Sequence, residues 1–312
     1  MNKTGYFTHP DCRRHDMGSG HPECPQRLDA IEDRLLMVGV RDALDCREAP
    51  LASPHLLELA HTPAHVERVR ALADELRDVG GLRSIDPDTA MNEYSWHAGL
   101  RAAGAALAAT DAVLAGELEN AFCAVRPPGH HACRDRAMGF CIFNNVAIAA
   151  RYALQQHGLQ RVAIVDFDVH HGNGTEDILS GDPRVLMVGF FQHPFYPYSG
   201  AEPAAENMVN LPVPAFTKGG AIREAVEKHW LPRLEAFRPE MVFISAGFDA
   251  HREDDLGQLG LVEDDFTWLT RQIRAIAQRH AQGRIVSCLE GGYNLDALGR
   301  SVETHLRALA DL

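Results

Sequence analysis

Acidic and histidine side chains alternate with other residues in the segment 165–177. Asp166, Asp168 and His170 are spaced two residues apart, and in an extended backbone such side chains point to the same side. Two carboxylates and an imidazole form a ligand set typical of a divalent metal ion such as zinc. A strand end whose acids cap the next helix is the simpler interpretation, but neighbouring like charges repel unless a cation or hydrogen-bond donors compensate them.

A zinc site that keeps one position for water usually has three protein ligands. Asp168 and His170 would supply two, so a third must come from elsewhere in the chain. The segment after Phe248 is the natural source. It contains four carboxylates: Asp249, Glu253, Asp254 and Asp255. Spacing alone does not choose among them.

Two adjacent histidines, His130 and His131, follow a Pro-Pro-Gly sequence that predicts a rigid loop. Beside a metal-bound water, a neutral histidine suits a general base and a protonated one suits an acid for a leaving amine. Two satisfied loop histidines are the simpler interpretation. Tyr293 follows Gly-Gly, and its hydroxyl would suit an oxyanion donor, although a packed loop aromatic explains it equally well.

Short apolar runs precede these segments and predict strands, and helical patterns lie between them. The strands are expected at 122–125, 162–166, 185–188, 241–245 and 285–289, and helices at 25–38, 63–76, 95–114, 145–156, 220–237 and 264–282. Alternating strands and helices predict a mostly parallel sheet with helices on both faces. No linker appears, so we expect one domain over residues 1–312. Such folds carry their chemistry beyond the carboxyl ends of the strands.

Composition narrows the class of protein. The 312 residues are 46% hydrophobic and 23% charged, the balance of a globular chain. A net charge of −13 argues against a nucleic-acid surface. No apolar run approaches the ~20 residues that span a bilayer, and the first residues do not resemble an export signal. We therefore expect a cytoplasmic protein without a membrane partner, with its seven cysteines reduced. The sequence carries no signal for an oligomeric state.

Five segments together resemble the zinc-dependent histone deacetylase family, including its bacterial acetylpolyamine amidohydrolases and its class II branch. They are 20–27, 126–145, 165–177, 245–257 and 289–294. The resemblance implies a single-domain, arginase-like α/β (deacetylase) fold with a mostly parallel sheet of about eight strands. It also implies one zinc ion per chain, held by Asp168, His170 and Asp254. Asp255 stands where the family commonly has proline.

The resemblance also implies the catalytic roles. His130 and His131 match the active-site histidines, oriented by Asp166 and Asn173 respectively. A carboxylate raises the basicity of an imidazole more than an amide does, so His131 should be the neutral base and His130 the cationic partner. Tyr293 matches the tyrosine that donates to the substrate carbonyl.

The resemblance implies a channel for the substrate stem between Phe140 and Tyr196, with the carbonyl of Gly139 as an acceptor. Leu261 occupies the position, seven residues after Asp254, where an acidic gate would favour a cationic amine. This leucine favours acyl-lysine substrates. Glu23 and Asp88 are expected at the rim and would favour a cationic amine.

Relatives also bind potassium near the zinc ion. The resemblance assigns this site to Asp166, Asp168, His170 and Phe190. The position of a serine ligand is Gly189 in this chain, which removes one side-chain oxygen.

The expected function is hydrolysis, by water activated on zinc, of acetyl or related acyl groups on the side-chain amine of lysine in a peptide or protein. The first alternative is a deacetylase of acetylpolyamines or other small acylated amines. A manganese hydrolase of the arginase type shares the fold but requires a carboxylate-rich pair of metal sites. A non-catalytic acyl-lysine binding protein is the alternative of a different class.

Overall fold

Ten strands and eleven α-helices cover residues 3–312, the part of the chain that the computed structural model describes. The strands are β1 (Thr4–Thr8), β2 (Asp45–Glu48), β3 (Arg83–Asp86), β4 (Thr89–Met91), β5 (Asn120–Cys123), β6 (Val162–Asp166), β7 (Val185–Gln192), β8 (Met208–Val213), β9 (Met241–Ala246) and β10 (Ile285–Leu289). The helices are α1 (Asp11–Arg14), α2 (Gln26–Met37), α3 (Pro54–Leu57), α4 (Pro63–Val79), α5 (Ser95–Leu114), α6 (Asn145–Gln155), α7 (Asn173–Leu179), α8 (Gly219–Ala225), α9 (Leu231–Phe237), α10 (Glu263–His280) and α11 (Leu295–Ala310).

Eight strands form one parallel sheet in the order β2-β1-β5-β10-β9-β6-β7-β8. The strands β3 and β4 form a separate antiparallel pair. This confirms the predicted α/β fold with a mostly parallel sheet of about eight strands.

Both faces of the central sheet are covered. Every residue of β6, β9 and β10 is buried, and since alternate side chains of a strand point to opposite faces, both faces must be packed. The helices α5 and α6 contact each other, and α2, α10 and α11 form a second group of helices in contact. None of the helices within residues 3–312 is long and apolar enough to cross a bilayer.

The sequence pattern located the buried strands better than the edge strands. The predicted strands 162–166 and 285–289 agree with β6 and β10. The strands β1, β2 and β8 of the large sheet and the separate pair of β3 and β4 were missed. The strands β2 and β8 lie at the edges of the large sheet, where residues are only partly buried and apolar runs are interrupted. The predicted helix 220–237 is divided into α8 and α9 by a π-helical turn at Val226–Trp230.

The four strands whose ends carry the candidate residues are neighbours in the sheet. They stand in the order β5-β10-β9-β6, all parallel. The carboxyl ends of parallel neighbours lie at the same edge. The loops that follow these four strands therefore meet, although they are distant in the sequence.

Candidate metal centre and active site

The loop after β6 places a carboxylate and a histidine beside an aspartate of the loop after β9. Nδ1 of His170 lies 3.0 Å from Oδ1 of Asp168 and 3.2 Å from Oδ2 of Asp249. One ligand atom from each residue lies within 4.8 Å of the others. Donors at tetrahedral zinc, bound at about 2.0–2.2 Å, are about 3.3–3.6 Å apart, so the spacing in this cluster is close to that of a metal site.

Hydrogen bonding and charge in this cluster also fit a cation. Oδ2 of Asp249 is buried and has no hydrogen bond of good geometry within residues 3–312. Burial raises the pKa of Asp249 to about 7, and the charge of Asp168 contributes to the rise. Burial alone would lower the pKa of His170, but the two carboxylates raise it to about 10. These directions indicate an excess of negative charge that a divalent ion would balance.

Asp254, which the resemblance assigns to zinc, lies outside this three-residue cluster. Its Oδ2 accepts hydrogen bonds from the backbone N–H groups of Tyr293 and Asn294, at 2.6 and 2.9 Å. Its Oδ1 accepts one from the N–H of Leu256 at 3.0 Å. These bonds hold its carboxylate against backbone of two loops. The structure therefore brings Asp249, rather than Asp254, into the cluster.

The two loop histidines have different partners. Nδ1 of His130 lies 3.1 Å from Oδ2 of Asp166, whereas Nδ1 of His131 lies 2.7 Å from Oδ1 of Asn173. Burial lowers the pKa of His131, and the charge of His130 lowers it further. Burial would also lower the pKa of His130, but the carboxylates of Asp168 and Asp166 outweigh it and raise this pKa. The directions agree with a neutral His131 and a cationic His130.

Sequence reasoning missed the part played by Glu290, the residue that follows β10. Its side chain is fully buried. Oε2 accepts hydrogen bonds from the backbone N–H groups of Gly129 and His130, at 2.6 and 3.0 Å, and Oε1 accepts one from the hydroxyl of Ser245 at 3.1 Å. The carboxylate thus joins the loop after β5 to β9 and to the end of β10. A glutamate directly after an all-buried strand was the available signal, because a buried charge requires partners.

Arg27, from the segment 20–27, supports the loop that carries Tyr293. Its Nε donates to the carbonyl oxygen of Gly292 at 2.7 Å, and a terminal nitrogen donates to that of Glu290. Its guanidinium carbon lies 4.9 Å from the centre of the Tyr293 ring. Burial raises the pKa of Tyr293 well above its ordinary value, so the hydroxyl remains a hydrogen-bond donor at neutral pH.

Glu23 was expected at the rim, and this prediction was wrong. Its side chain is fully buried. It lies 3.1 Å from Arg27 and accepts a hydrogen bond of 2.6 Å from Arg126. The glutamate is buried because it neutralises two buried arginines.

A cavity of about 230 Å³ adjoins the histidines and the tyrosine. Its lining residues are Asp88, His131, Gly139, Phe140, His170, Phe195, Tyr196, Asp255, Leu256 and Tyr293. Gly139, Phe140 and Tyr196, expected from the sequence to bind the substrate, are all in this lining. Asp88, the other rim residue expected, is there too.

Leu261 is not part of the lining, which corrects its assignment as a substrate-binding residue. It is fully buried, and it pairs with His251 as an isolated bridge. The leucine of this loop that lines the cavity is Leu256. The count of residues after Asp254 could not show that the chain turns inward before position 261.

Gly139 and Phe140 form part of the cavity wall and both have a positive φ, 57° and 68°. A Cβ at Gly139 would lie 2.3 Å from the ring of His131, so only glycine fits there. The ring of Phe140 meets that of Tyr293 edge-on at 5.9 Å. The N–H of Gly139 donates to Oδ1 of Asp88 at 2.9 Å.

Two further aromatic residues of the lining come from the loop after β7. The ring of Tyr196 is edge-on to those of His131 and His170, at 5.3 and 6.0 Å between centres. Phe195 stacks on His170 at 5.5 Å. Aromatic rings around a narrow cavity suit an apolar stem, such as the methylene chain of an alkylamine.

His171 connects the loop of Phe195 and Tyr196 to the loop after β6. Its Nδ1 lies 2.9 Å from Oγ of Ser199, and its Nε2 lies 2.9 Å from Oε2 of Glu176. The aromatic wall is therefore anchored through side chains that do not line the cavity.

Gly189, where the resemblance expects a serine, pairs with Asp166 in the register of β6 and β7. A Cβ at Gly189 would lie 3.4 Å from the backbone oxygen of Asp166 and 3.5 Å from its Cβ, which is ordinary contact. The space for a serine side chain exists. The ring of Phe190 stacks on Trp230 in the core, so only its backbone could serve a cation. The potassium site stays a prediction.

Similarity to known proteins extends over most of the chain. A family model described as the histone deacetylase domain matches residues 21–309. A histone deacetylase-like amidohydrolase of Pseudomonas aeruginosa is 41% identical over 283 residues, which are 88% of this chain and 73% of that protein. The polyamine deacetylase HDAC10 of Mus musculus is 40% identical over 303 residues, which are 90% of this chain and 43% of that longer protein.

Similarity to solved structures is equally extensive. The crystal structure of the HDA15 HD domain matches with a TM-score of 0.93 and 33% sequence identity. The match covers 100% of this chain and 90% of that one.

Proposed function

The chain belongs to the histone deacetylase family, whose members are zinc-dependent deacetylases, and we propose that it removes acetyl or related acyl groups from lysine side chains. One observation carries the proposal. His131, His170 and Tyr293, from three loops, line the same cavity. This arrangement suits hydrolysis of an amide on an alkyl stem, because His131 is a neutral base, His170 is a candidate metal ligand and Tyr293 is a hydroxyl donor around one apolar channel.

We propose that Asp168 and His170 hold one zinc ion together with Asp254. When bound, such an ion would polarise the amide carbonyl and would lower the pKa of water. Asp254 is supported by its three backbone hydrogen bonds, since ligating carboxylates are themselves held by hydrogen bonds. Asp249 is the competing third ligand, supported by its contact with His170.

The metal content of purified variants tests this assignment. We expect Asp254→Ala to lose zinc and Asp255→Ala, a change of the adjacent exposed carboxylate, to keep it. If Asp249→Ala loses zinc and Asp254→Ala retains it, the third zinc ligand is Asp249 and not Asp254.

The protein residues then divide the reaction among themselves. The neutral His131 accepts a proton from the attacking water and returns it to the departing amine nitrogen. His130, kept cationic by Asp166 and Asp168, stabilises the negative charge that develops nearby. The hydroxyl of Tyr293 donates to the carbonyl oxygen as that oxygen becomes negative. Breaking the C–N bond yields a carboxylate and a protonated amine, whose nitrogen takes up both protons of the water.

Acetylated polyamines and other small acylated amines are the second candidate substrates. The carboxylates of Asp88 and Asp255 in the cavity lining support this class. A non-catalytic acyl-lysine binding protein is the remaining alternative, and the presence of both histidines and Tyr293 argues against it.

Release of free amine from an acetyl-lysine peptide and from acetylputrescine, measured side by side on zinc-loaded protein, tests the function. Turnover of the peptide supports the proposal, and turnover of acetylputrescine alone supports the second candidate. No turnover of either compound by protein that retains zinc would favour the binding protein.

We also propose a weak potassium site formed by Asp166, Asp168 and the backbone of His170 and Phe190. Gly189→Ser would add the missing oxygen, and we expect it to lower the potassium concentration needed for half-maximal activity.

A cytoplasmic location is supported by the free state of all seven cysteines. The net charge of −13 supports partners other than nucleic acid.

A further inference from the structure

The side-chain amide of Asn173 contacts two sulfur atoms at its nitrogen end. Its Nδ2 lies 3.4 Å from Sγ of Cys133 and 3.3 Å from Sδ of Met138. Its Oδ1 lies 2.7 Å from Nδ1 of His131. Cys133 and Met138 do not belong to the cavity lining, whereas His131 does. The two sulfur atoms can therefore affect the reaction through Asn173 and His131.

The chemistry of the two sulfur atoms decides which end of the amide faces them. The thioether of Met138 has no hydrogen, so it can only accept a hydrogen bond. The thiol of Cys133 donates its hydrogen to the carbonyl oxygen of His131 at 3.6 Å, which leaves the sulfur lone pairs as acceptors. Burial raises the pKa of Cys133 to about 11, so the thiol keeps this hydrogen at neutral pH. The NH2 group of Asn173 has two hydrogens, one for each acceptor.

Backbone hydrogen bonds hold both sulfur-bearing residues in place. The N–H of Met138 donates to the carbonyl oxygen of Cys141 at 3.1 Å, and the N–H of Cys141 donates back to Met138 at 2.9 Å. The N–H of Cys133 donates to the carbonyl oxygen of Arg136 at 2.9 Å. The two acceptors are therefore carried by hydrogen-bonded turns, which fixes their positions relative to Asn173.

The orientation of the amide decides which nitrogen of the neutral His131 ring carries a hydrogen. With Nδ2 at the sulfur atoms, Oδ1 accepts from an Nδ1–H group of His131, and the lone pair of the ring stays on Nε2. A reversed amide would donate from Nδ2 to Nδ1 and would place the ring hydrogen on Nε2, where a base needs a lone pair. Reversal would also direct the amide oxygen at two sulfur acceptors.

We propose that Cys133 and Met138 are positioning residues that select the catalytic tautomer of His131 by accepting hydrogen bonds from Asn173. The inference rests on the proposed deacylase activity, in which His131 takes a proton from the attacking water. It explains why an amide, which has two possible orientations, can orient this histidine as a carboxylate would.

Nitrogen NMR of the His131 ring tests the tautomer without any substrate, because the nitrogen chemical shifts distinguish the Nδ1–H form from the Nε2–H form. We expect the Nδ1–H form in the unmodified, zinc-loaded protein at neutral pH. In the double variant Cys133→Ala/Met138→Leu, we expect a measurable share of the Nε2–H form. An Nε2–H form in the unmodified protein, or an unchanged spectrum in the double variant, would overturn the inference.

Kinetics test the same residues in the reaction. Met138→Leu nearly keeps the side-chain volume and removes the sulfur acceptor. We expect it to lower kcat about two- to tenfold at constant KM, the factor that one hydrogen bond contributes. Cys133→Ala should behave similarly, whereas Cys133→Ser, whose hydroxyl still accepts, should retain kcat. Met208→Leu, at a buried methionine of β8, is the matched control.

A change of background separates selection of the tautomer from packing. In Asn173→Asp the carboxylate can only accept from Nδ1 of His131, whichever way it turns. In that background we expect Met138→Leu to change kcat by no more than about twofold, because no donor remains for the sulfur. An equal loss in both backgrounds would show that Met138 acts through packing, and the inference would fail.

The two proposals fail in different ways. If zinc-loaded protein hydrolyses no acylated amine, the proposed function fails, while the NMR spectra still show whether the sulfur atoms select the tautomer. If the protein is active and the spectra and kcat do not respond to Cys133 and Met138, the inference fails and the deacylase proposal stands.

Discussion

The guanidinium carbon of Arg27 lies 4.9 Å from the ring centre of Tyr293, within the range of a cation–π contact, while Nε of the same side chain donates to the carbonyl oxygen of Gly292, the residue before the tyrosine. The phenol is therefore positioned through both its ring and its backbone. These contacts hold the ring whether or not a hydroxyl is attached, which makes the hydroxyl separable by mutation.

We expect Tyr293→Phe to keep its fold and its zinc content but to lose about 10²- to 10³-fold in kcat, the usual cost of one oxyanion donor. Steady-state kinetics and metal analysis check this. Tyr152→Phe, which removes a hydroxyl from α6, is the control and should behave as the unmodified enzyme. An unchanged kcat in Tyr293→Phe would remove the hydroxyl from the mechanism.

Ser199→Ala should raise KM about three- to tenfold with little change in kcat. The substitution removes the 2.9 Å contact with His171, worth about 1 kcal/mol for an ordinary hydrogen bond, and loosens the loop of Phe195 and Tyr196. Ser84→Ala, at an exposed position of β3, is the control. A fall in kcat at constant KM would show instead that the reacting groups had moved.

Glu290→Ala should lower the free energy of unfolding by about 3 kcal/mol or more, because three donors lose a buried acceptor. Urea unfolding measures the loss. Glu240 is a matched control because it also accepts from two backbone N–H groups, of Gln160 and Arg161, but in an exposed setting. Water can replace it, so Glu240→Ala should cost much less. Equal losses would contradict the assigned importance of burial.

His305 should make the protein less stable in acid. It is fully buried, and its pKa is lowered to about 3 by burial alone. Thr270 donates to Phe266, so its hydroxyl accepts from Nδ1 of His305, and Nε2 accepts from Ser287. These hydrogen bonds of the folded protein therefore require the neutral form of the His305 imidazole.

The pKa of His305 in the folded protein lies below its value of about 6.5 in the unfolded chain. The contribution of the neutral imidazole to the free energy of unfolding is therefore fully present above about pH 6.5. It is lost as the pH falls toward about 3. One proton contributes a slope of about 1.4 kcal/mol per pH unit. Urea unfolding of His305→Gln between pH 7 and 4 should show a slope smaller by about this amount. The exposed His55→Gln is the control, and an unchanged slope in His305→Gln would contradict the prediction.

The sequence could predict the positions of site residues that end or follow a buried strand. It could not predict the positions of residues that depend on the conformation of a long loop. Asp166, Asp168 and His170 directly follow or end a buried strand, so the strand fixes where they lie. Asp249 and Leu261 belong to a loop whose path no periodic pattern encodes. Their positions, one beside the metal candidate and one in the core, therefore required the structure.

The hydrogen bonds from the backbone N–H groups of Gly129 and His130 to Glu290 also affect how fast these amides exchange their hydrogens with solvent. Both N–H groups are directed at the fully buried carboxylate of the residue that directly follows β10, a strand in the middle of the sheet. Their hydrogens can exchange with deuterium only when this region separates, which is close to global unfolding. The two amides should therefore exchange as slowly as those of the central strands, although they lie in a loop.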